Sequence, residues 1–363
     1  MEELLSYVEE DEKVRDEILV PSTFAVREKS SLGNHDINYI ILAVNYEGIN
    51  TGKSTHDIKL LGKTMLDWVK SACPEQPNVK KVDSDFDVLR DIKDLLTDSE
   101  WTIVLFSDTP LLTNDTLEKS FSFAEESGLN VCKLKRGYIF KTDYIRRIED
   151  IYGVENCLIN LEDFLVADNF VTINKASTIL KNRILDYHMR NGVFIMDRNS
   201  TYIDCEVSIG RGTFIHPGNY LYGSTEIGED VQLFSGNRIL NSIIAGDAKI
   251  ESSTISLSVI GEKCKIKNSN IGNDTLIKSS TKVLDGSVVK ESIIDEECKI
   301  MNATVKGVAI AKNCKIYDGA RIIGKNGNIA IENNVTIGEN CVINVPCVVQ
   351  EGKRLSSGTI INK

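Results

Sequence analysis

The stretch SIGRGTFIHPGNYLYGSTEIGEDVQLFSGNRIL, residues 208–240, places a branched apolar residue at every sixth position. A period of six is neither the 3.6 of an α-helix nor the 2 of an alternating strand, so it requires a coil with flat faces of about six residues. Three faces make one turn of about 18 residues, and the apolar residue of each hexad stacks inward on its counterpart in the next coil. The stretch therefore predicts an all-β left-handed parallel β-helix of hexapeptide repeats. The members of the run are Ile209, Ile215, Leu221, Ile227, Leu233 and Ile239.

The same period continues through most of the remaining chain. Its phase slips near residues 245, 255 and 271 and again at 325–329, which marks turns or short loops. Residues 203–360 supply about nine coils at this period. An ordinary β-sandwich with fortuitous spacing is the alternative, and the number of strands that keep the period argues against it. The later members are Ile277, Val283, Val289, Ile331, Ile337, Ile343 and Val349.

Four of the nine cysteines occupy one recurring position, two residues before a repeat-defining Ile. They are Cys264, Cys298, Cys314 and Cys341. The chain contains no C-x-x-C pair, the spacing that a metal site or a redox site commonly uses. A small residue reused once per coil is typical of core packing, and we predict that role for these thiols.

Composition excludes several classes of partner. The 363 residues carry a net charge of −11, which argues against a nucleic acid or an acidic membrane as the partner. No apolar run approaches the ~20 residues of a membrane span. Residues 1–35 form an acidic extension with a helical pattern that lacks the features of a signal peptide, so we expect a cytoplasmic protein.

The region 36–190 has a different pattern, which predicts an α/β domain ahead of the β-helix at 191–363. Residues 37–45 and 101–108 are near-continuous apolar runs, as expected of strands buried on both faces. Helical patterns at 59–72, 116–128, 142–153 and 175–190 separate or follow them. Alternating strands and helices indicate a Rossmann-like domain with a largely parallel sheet.

Two strand ends in this domain carry polar residues. The loop after Asn45 contains glycines, and Asp108 ends the second strand. Ligands of open parallel sheets bind at the carboxyl ends of the strands, where a loop can cradle phosphates and a carboxylate can hold Mg²⁺. The segment from Gly48 to Ser54 is close to a P-loop, but three residues separate its glycines where that motif needs four.

The junction between the two halves resembles a known family. Residues 170–210 are similar to the junction of the bacterial N-acetylglucosamine-1-phosphate uridyltransferases (UDP-N-acetylglucosamine pyrophosphorylases), where a helix ending H-M-x-N-G-V precedes Y-I-D-x-x-V. KLLGKTMLDWV, residues 59–69, resembles the G-K-x-M region of that family. FSDTPLLTNDTL, residues 106–117, resembles its Y-G-D-x-P-L segment. The resemblance covers most of residues 37–210 with gaps, and it implies a shortened, divergent α/β nucleotidyltransferase-like domain joined to a β-helix.

The resemblance also implies roles for particular residues. Asp108 and Asn174 match the two metal ligands that hold Mg²⁺ between the phosphates, and Lys59 matches a lysine that contacts them. A nucleoside triphosphate or nucleotide sugar and a sugar-1-phosphate are then the expected ligands. The nucleotide-binding loop corresponds to the segment containing Asn45, Glu47, Gly48 and Gly52.

The loop departs from the family pattern L-A-A-G-x-G-T-R-M. Asn45 stands where the first glycine belongs, and the arginine that neutralises departing phosphate is missing. Lys53 is a candidate to replace that arginine as a catalytic cation. The family's base-reading Q-x-x-x-G-T-G-H segment is absent between Val69 and Asp108, and the stretch after Leu117 is too short for the sugar-binding lid.

Three functions remain open from the sequence. The first is Mg²⁺-dependent transfer of a nucleotidyl group to a sugar phosphate. The second is a catalytically impaired relative that acts in ligand sensing or assembly. The third is a hexapeptide acyltransferase, a class that usually uses a histidine base; His216 is the sole histidine in the repeats, and we interpret it as a surface corner residue. Such β-helices associate side by side, so we expect a homo-oligomer, with a trimer favoured.

Overall fold

The computed structural model describes residues 31–46, 49, 54–83, 87–151, 162–325 and 328–362. Most of the predicted extension at 1–35 lies outside these residues, as do Glu47, Gly48, Gly52 and Lys53. The chain divides into two compact units, which meet in sequence between Asn182 and Arg183. An α/β unit precedes a solenoid unit, and each is described below by itself.

The α/β unit is built on a five-stranded mixed sheet with the order β4-β1-β5-β7-β6. Strands β4, β1 and β5 run parallel, and β7 runs antiparallel to both β5 and β6. The two predicted strands are confirmed as the centre of this sheet, but the hairpin β6–β7 makes it less parallel than expected. The strands are β1 (Ile37–Val44), β4 (Asn78–Val82), β5 (Trp101–Phe106), β6 (Val131–Leu134) and β7 (Gly137–Lys141).

The sheet is buried on both faces. Tyr39 and Ile41 of β1 pack into one apolar cluster with Phe121, while Ile40 and Leu42 pack into a second cluster on the opposite face. Successive side chains of a strand point to opposite faces, so β1 is apolar at every position except Asn38, as its sequence suggests. The helices are α1 (Met65–Ala72), α2 (Val88–Ile92), α3 (Asn114–Glu126), α4 (Thr142–Ile145) and α5 (Phe170–Arg190), with short 3₁₀ turns at Ser31–Asn34, Thr55–Asp57 and Lys93–Leu95.

Two of the predicted helices are shorter than their patterns suggest. Residues 59–64 form a small antiparallel hairpin of β2 (Lys59–Leu60) and β3 (Lys63–Thr64), and α1 starts only after it. Leu61 and Gly62 have φ values of 50° and 94° at the turn, a conformation that a helix cannot contain. The pattern at 142–153 yields only the single turn of α4 within the described residues.

The second unit is a parallel β-solenoid, which confirms the predicted β-helix of hexapeptide repeats. It contains three parallel sheets, and each coil of the chain contributes one strand to each sheet. We call them sheets 1, 2 and 3. Sheet 1 contains β10 (Ser208–Ile209), β13 (Glu226–Ile227), β16 (Ile243–Ile244), β19 (Ser258–Ile260), β22 (Thr275–Ile277), β25 (Ile293–Ile294), β28 (Val308–Ile310), β31 (Ile329–Ile331) and β34 (Cys347–Val349).

The other two sheets contain ten strands each. Sheet 2 contains β8 (Phe194–Ile195), β11 (Phe214–Ile215), β14 (Gln232–Leu233), β17 (Lys249–Glu251), β20 (Lys265–Lys267), β23 (Lys282–Leu284), β26 (Lys299–Met301), β29 (Lys315–Ile316), β32 (Thr336–Ile337) and β35 (Arg354–Leu355). Sheet 3 contains β9 (Tyr202–Ile203), β12 (Tyr220–Tyr222), β15 (Arg238–Leu240), β18 (Thr254–Ser256), β21 (Asn270–Gly272), β24 (Val288–Lys290), β27 (Thr304–Lys306), β30 (Arg321–Ile323), β33 (Val342–Ile343) and β36 (Ile360–Ile361).

The interior of the solenoid is made of stacked apolar columns. Ile250 pairs with Ile266 and Ile266 with Val283, and all three side chains are fully buried. The coil shortens from 18 residues between Asn219 and Asn237 to 16 between Asn237 and Ser253, which accounts for the phase slips in the sequence. Short polar residues turn the corners in the left-handed region, for example Asp230 at φ 56°.

The four recurring cysteines lie inside the coils. Cys264, Cys298, Cys314 and Cys341 are each no more than 2% exposed. Burial raises the pKa of the Cys264 thiol to about 12, which keeps it protonated at neutral pH. Packing therefore accounts for these residues. In the described part of the chain, no helix combines the length and apolar character needed to cross a bilayer.

Candidate functional site

Asp108 lies just beyond the carboxyl end of β5, buried beneath two polar side chains. Its carboxylate accepts hydrogen bonds from Arg136, through Nη2 to Oδ2 at 2.6 Å and through Nε to Oδ1 at 3.2 Å. The Tyr46 hydroxyl donates to Oδ2 at 2.6 Å, and Arg136 Nη2 also lies 3.1 Å from that hydroxyl oxygen. The Asp108 side chain is 1% exposed and that of Arg136 is 23% exposed. This is a buried bidentate ion pair reinforced by a phenol.

A tight hairpin directs Arg136 at the carboxylate. Leu134 of β6 pairs with Gly137 of β7, so only Lys135 and Arg136 connect the two strands. Gly137 has φ 141°, and a Cβ there would lie 2.6 Å from the carbonyl oxygen of Val104. The position therefore requires glycine. The Arg136 guanidinium stacks 4.1 Å from the ring centre of Phe106, the last residue of β5.

The Asp108 carboxylate raises the pKa of both side chains that donate to it, those of Arg136 and Tyr46. Burial alone would lower the pKa of Arg136, but the hydrogen bond and charge of Asp108 raise it above its ordinary value. Burial, together with the neighbouring Asp108 charge, raises the pKa of Tyr46 far above its ordinary value. The phenol therefore stays a hydrogen-bond donor and the guanidinium stays a cation over the physiological range.

Hydrogen bonds join the two ends of the nucleotide-binding loop that the sequence predicts after β1. Asn45 Oδ1 accepts a hydrogen bond from the backbone N–H of Thr55 at 3.1 Å, and Thr55 Oγ1 accepts one from the N–H of Tyr46 at 3.0 Å. His56 follows with a ring that is 2% exposed, its Nδ1 3.4 Å from the Val44 carbonyl oxygen. Asn45 therefore has a structural role, because the hydrogen bonds at this end of the loop also hold Tyr46 where it contacts Asp108.

Lys59 and Asn174 do not join Asp108 in the described residues. Lys59 lies exposed on β2 opposite Thr64. Asn174 is exposed within the first turns of α5, where its carbonyl oxygen accepts a hydrogen bond from the Thr178 hydroxyl. No hydrogen bond or ion pair joins either side chain to Asp108 in the described residues, and their roles as metal ligand and phosphate contact stay predictions.

A second carboxylate, that of Asp168, acts electrostatically on Tyr46. The backbone N–H of Ala167 donates to the Asp108 carbonyl oxygen at 2.7 Å, which brings the start of α5 to the strand end. Asp168 is the next residue, and its charge contributes to the raised pKa of Tyr46. Its carboxylate accepts hydrogen bonds from Asn169 at 2.8 Å and from the Thr172 hydroxyl at 3.0 Å.

Arg136 donates hydrogen bonds to both oxygens of the Asp108 carboxylate, the group that the sequence predicts as a ligand of Mg²⁺. Among the residues that the structure describes, no group of three or more His, Cys, Asp or Glu side chains is arranged to hold a metal ion. The positive charge at this strand end is supplied by the protein itself.

The solenoid unit contains two histidines, His188 and His216. The His216 ring stacks on Phe234 at 5.1 Å. His188, near the end of α5, is 2% exposed, and its Nε2 has no hydrogen-bond partner among the described residues. Burial lowers the pKa of His188 to about 4, so this ring is neutral at physiological pH.

Three functional candidates escaped the sequence analysis, namely Tyr46, Arg136 and Asp168. Arg136 lies in the KLKRGYIFK segment, whose two β-branched and aromatic runs around Lys-Arg-Gly are typical of a hairpin. Asp168 and Asn169 precede α5 with Thr172 three residues on, which is an N-terminal capping signal. Nothing in the sequence relates either segment to Asp108, because the contacts are made across the sheet.

Comparison with known proteins shows which hexapeptide-repeat proteins this chain is similar to. The family model described as "GlmU-like, C-terminal hexapeptide" matches residues 229–318. Bifunctional protein GlmU of Clostridium kluyveri is 34% identical over 209 residues, which cover 56% of this chain and 46% of that protein. GlmU of Clostridioides difficile is 33% identical over 212 residues, 55% of this chain and 45% of that protein. GlmU of Caldanaerobacter subterraneus subsp. tengcongensis is 31% identical over 235 residues, 63% and 51% respectively.

Solved structures of acyltransferases are also similar to the chain. The UDP-N-acetylglucosamine acyltransferase of Francisella novicida matches with a TM-score of 0.31 and 19% identity over 46% of this chain and 63% of that one. The UDP-N-acetylglucosamine O-acyltransferase of Moraxella catarrhalis matches with a TM-score of 0.21 and 18% identity over 42% and 58%.

An α/β unit followed by a parallel β-solenoid of hexapeptide repeats places the chain among the hexapeptide-repeat proteins. Within that class it is a distant relative of the bifunctional GlmU proteins, with a GlmU-like hexapeptide region. The chain spans about half the length of the curated relatives that it matches.

Proposed function

We propose that this chain is a catalytically impaired GlmU relative, whose α/β unit binds a phosphate-bearing ligand without metal-dependent turnover and whose solenoid drives assembly. The observation that carries the proposal is the Arg136–Asp108 ion pair. Both oxygens of this aspartate are engaged by a guanidinium, so the carboxylate would have to exchange that partner before it could ligate Mg²⁺. The resemblance implies a nucleotide or a nucleotide sugar as the ligand, in a cytoplasmic protein.

The same ion pair supports ligand binding at this edge of the sheet. Ligands of open α/β sheets bind beyond the carboxyl ends of the strands, which is where Arg136 lies. A planar guanidinium recognises phosphate through paired hydrogen bonds and remains charged when partly buried. Asp108 holds that guanidinium in one orientation, so little conformational freedom would be lost on binding.

A thermal-shift measurement in Mg²⁺ and in EDTA tests this proposal. A ligand that binds the native state raises the melting temperature by mass action. We expect UTP or a UDP-sugar to raise it equally in both buffers, and the shift to shrink in Arg136→Lys relative to that variant's own ligand-free value. A shift that requires Mg²⁺ and disappears in Asp108→Asn would contradict the proposal.

The second candidate is the metal-dependent sugar-1-phosphate nucleotidyltransferase. It is favoured by one observation: Ala167 is hydrogen-bonded to the Asp108 backbone, and the next residue, Asp168, acts electrostatically on Tyr46. Paired carboxylates are suitable ligands for Mg²⁺. This function requires Arg136 to leave Asp108, and the Mg²⁺-dependent outcome of the thermal-shift experiment would support it over the first.

Assembly is supported by an apolar column at the outward strand positions of sheet 1, in which Val259 and Leu276 are buried and the other members are at least partly exposed. Its members alternate with the inward residues of each strand and pair in register from coil to coil. Val348 at the end of the column is 60% exposed. An apolar stripe along one face is suited to side-by-side association, and we propose a homotrimer. The members are Ile243, Val259, Leu276, Ile293, Ala309, Ala330 and Val348.

A further inference from the structure

Five lysines form a single column on the outside of sheet 2. Lys249 pairs with Lys265, Lys265 with Lys282, Lys282 with Lys299 and Lys299 with Lys315, each in register across parallel strands. We call this column the lysine ladder. Neighbouring strands lie about 4.8 Å apart, so the ladder extends about 19 Å along the solenoid.

The ladder is not neutralised by the protein. Of the five side chains, four are exposed and Lys299 is half-buried, and none forms an ion pair within the described residues. Elsewhere on the solenoid, lysines do pair with acids, as Lys306 does with Glu291 at 3.3 Å and Lys312 with Glu296 at 2.9 Å. The ladder thus differs from the lysines of the same unit that are paired with acids, which are Lys267, Lys278, Lys306 and Lys312.

The adjacent column on the same face contains little negative charge. Its members beside the ladder are Glu251, Lys267, Leu284, Met301 and Tyr317. Glu251 already pairs with Lys267 at 3.2 Å. Like charges that face each other across neighbouring strands destabilise a sheet, so five in succession on a chain of net charge −11 are costly to folding. A bound polyanion would relieve this repulsion.

We propose that the lysine ladder binds inorganic polyphosphate, laid along the axis of the solenoid. The ammonium group of lysine is a compact charge with three donors, and it is a common phosphate binder. A chain of directly linked phosphates carries a charge on every unit, so it keeps charge beside every lysine of the ladder. An extended acidic peptide directs only every second side chain to one face, about 6.7 Å apart, which is coarser than the ladder.

The binding measurement uses the full-length chain and polyphosphate of defined length over a series of salt concentrations. For single-stranded phosphate chains, the slope of log affinity against log salt is about 0.7 per neutralised phosphate, so five lysines predict a slope near −3.5. The triple variant Lys265→Gln, Lys282→Gln, Lys299→Gln should flatten that slope by about 2. Its melting temperature should be unchanged or higher, because like-charge repulsion is removed.

A matched triple variant removes the same charge elsewhere. Lys290→Gln, Lys306→Gln, Lys312→Gln lies outside sheet 2 and should leave the slope and the affinity unchanged. An equal loss of polyphosphate affinity in the two triple variants would mean a non-specific charge effect and would overturn the proposal. So would an inorganic triphosphate or a polyglutamate that binds as tightly as the long polyphosphate, since neither provides a phosphate chain that spans the ladder. Binding at this face does not depend on the α/β unit, so it is independent of the proposed function.

Discussion

At the scale of single residues, the Arg136–Asp108 pair controls the electrostatics of the strand end. Asp108 is nearly inaccessible, and its carboxylate oxygens are held by Arg136 and by Tyr46. A charge buried to this extent is tolerated because it is paired and hydrogen-bonded. Removing one partner therefore has a larger effect than the net stabilisation that the pair provides.

The substitution Arg136→Met should lower the free energy of unfolding by about 3–5 kcal/mol, because it leaves the Asp108 carboxylate buried and unpaired. Denaturant unfolding measures this loss. Millimolar Mg²⁺ should restore part of it in the variant, since the freed carboxylate can then take a cation, and it should not stabilise the parent chain.

A surface ion pair supplies the control for that experiment. Arg146 donates to Asp98 at 3.0 Å, and both side chains are exposed. Arg146→Met should cost no more than about 1 kcal/mol. A similar loss in both arginine variants, or an equal response of the parent chain to Mg²⁺, would count against the account.

His188 gives the solenoid unit a dependence on pH. Its pKa is lowered by burial to about 4, against about 6.5 in the unfolded chain. The unfolded state therefore binds a proton first, and stability contributed by the neutral ring is lost as pH falls from about 6.5 towards 4. The full loss in the free energy of unfolding is about 3 kcal/mol.

In His188→Gln this part of the pH dependence should disappear. Chemical unfolding at pH 7.5 and pH 4.5 should show a smaller decrease in the variant than in the parent, by about 2–3 kcal/mol. His35→Gln is the matched control, because the His35 side chain is 35% exposed. An unchanged decrease in His188→Gln would mean that the buried ring is not responsible.

At the scale of elements, the stacked columns stabilise the solenoid, and each coil relies on its two neighbours. Ile266 is fully buried between Ile250 and Val283. Ile266→Ala should cost about 2–5 kcal/mol, because the rigid columns on either side cannot collapse into the cavity. Ile360→Ala, in the last strand where the side chain is 60% exposed, should cost less than about 1 kcal/mol. Equal melting temperatures for the two variants would contradict the stacking account.

The solenoid was predictable at this scale, whereas the site was not. The period of six can be recognised from the positions of residues such as Ile209 and Ile215 alone. In the structure both side chains are buried in the solenoid, as the period predicts. Strands β1 and β5 were likewise predictable from their apolar runs. Arg136 was not, because its role depends on a hairpin that pairs antiparallel with β5 and on the glycine that follows it.

Long-range contacts also explain the difference between Asn174 and Asp168. Sequence similarity to the family junction directed attention to Asn174, which is exposed on α5. The hydrogen bond from Ala167 to Asp108 instead brings Asp168 to the strand end. A shift of a few residues in the alignment of a helix changes which side chain reaches the site, and only the fold resolves it. The metal role of either residue remains a prediction.

At the scale of the whole molecule, the trimer that we propose would depend on sheet 1. A charge placed in the apolar column should disrupt association, because an unpaired carboxylate is costly to bury in an interface. Ile293→Asp should therefore convert the trimer to monomers in analytical ultracentrifugation. Thr304→Asp, on an outward position of sheet 3, should leave the trimer intact. Trimers in both variants would mean that sheet 1 is not the interface.

The central claim is that Arg136 has taken the place of a catalytic cation at Asp108. The most direct test is release of pyrophosphate from UTP and N-acetylglucosamine-1-phosphate in the presence of Mg²⁺, compared between the parent chain and Asp108→Asn. The account predicts no release above the background of the Asp108→Asn variant. Release by the parent chain that requires Mg²⁺ and is lost in Asp108→Asn would contradict it and would establish a working nucleotidyltransferase.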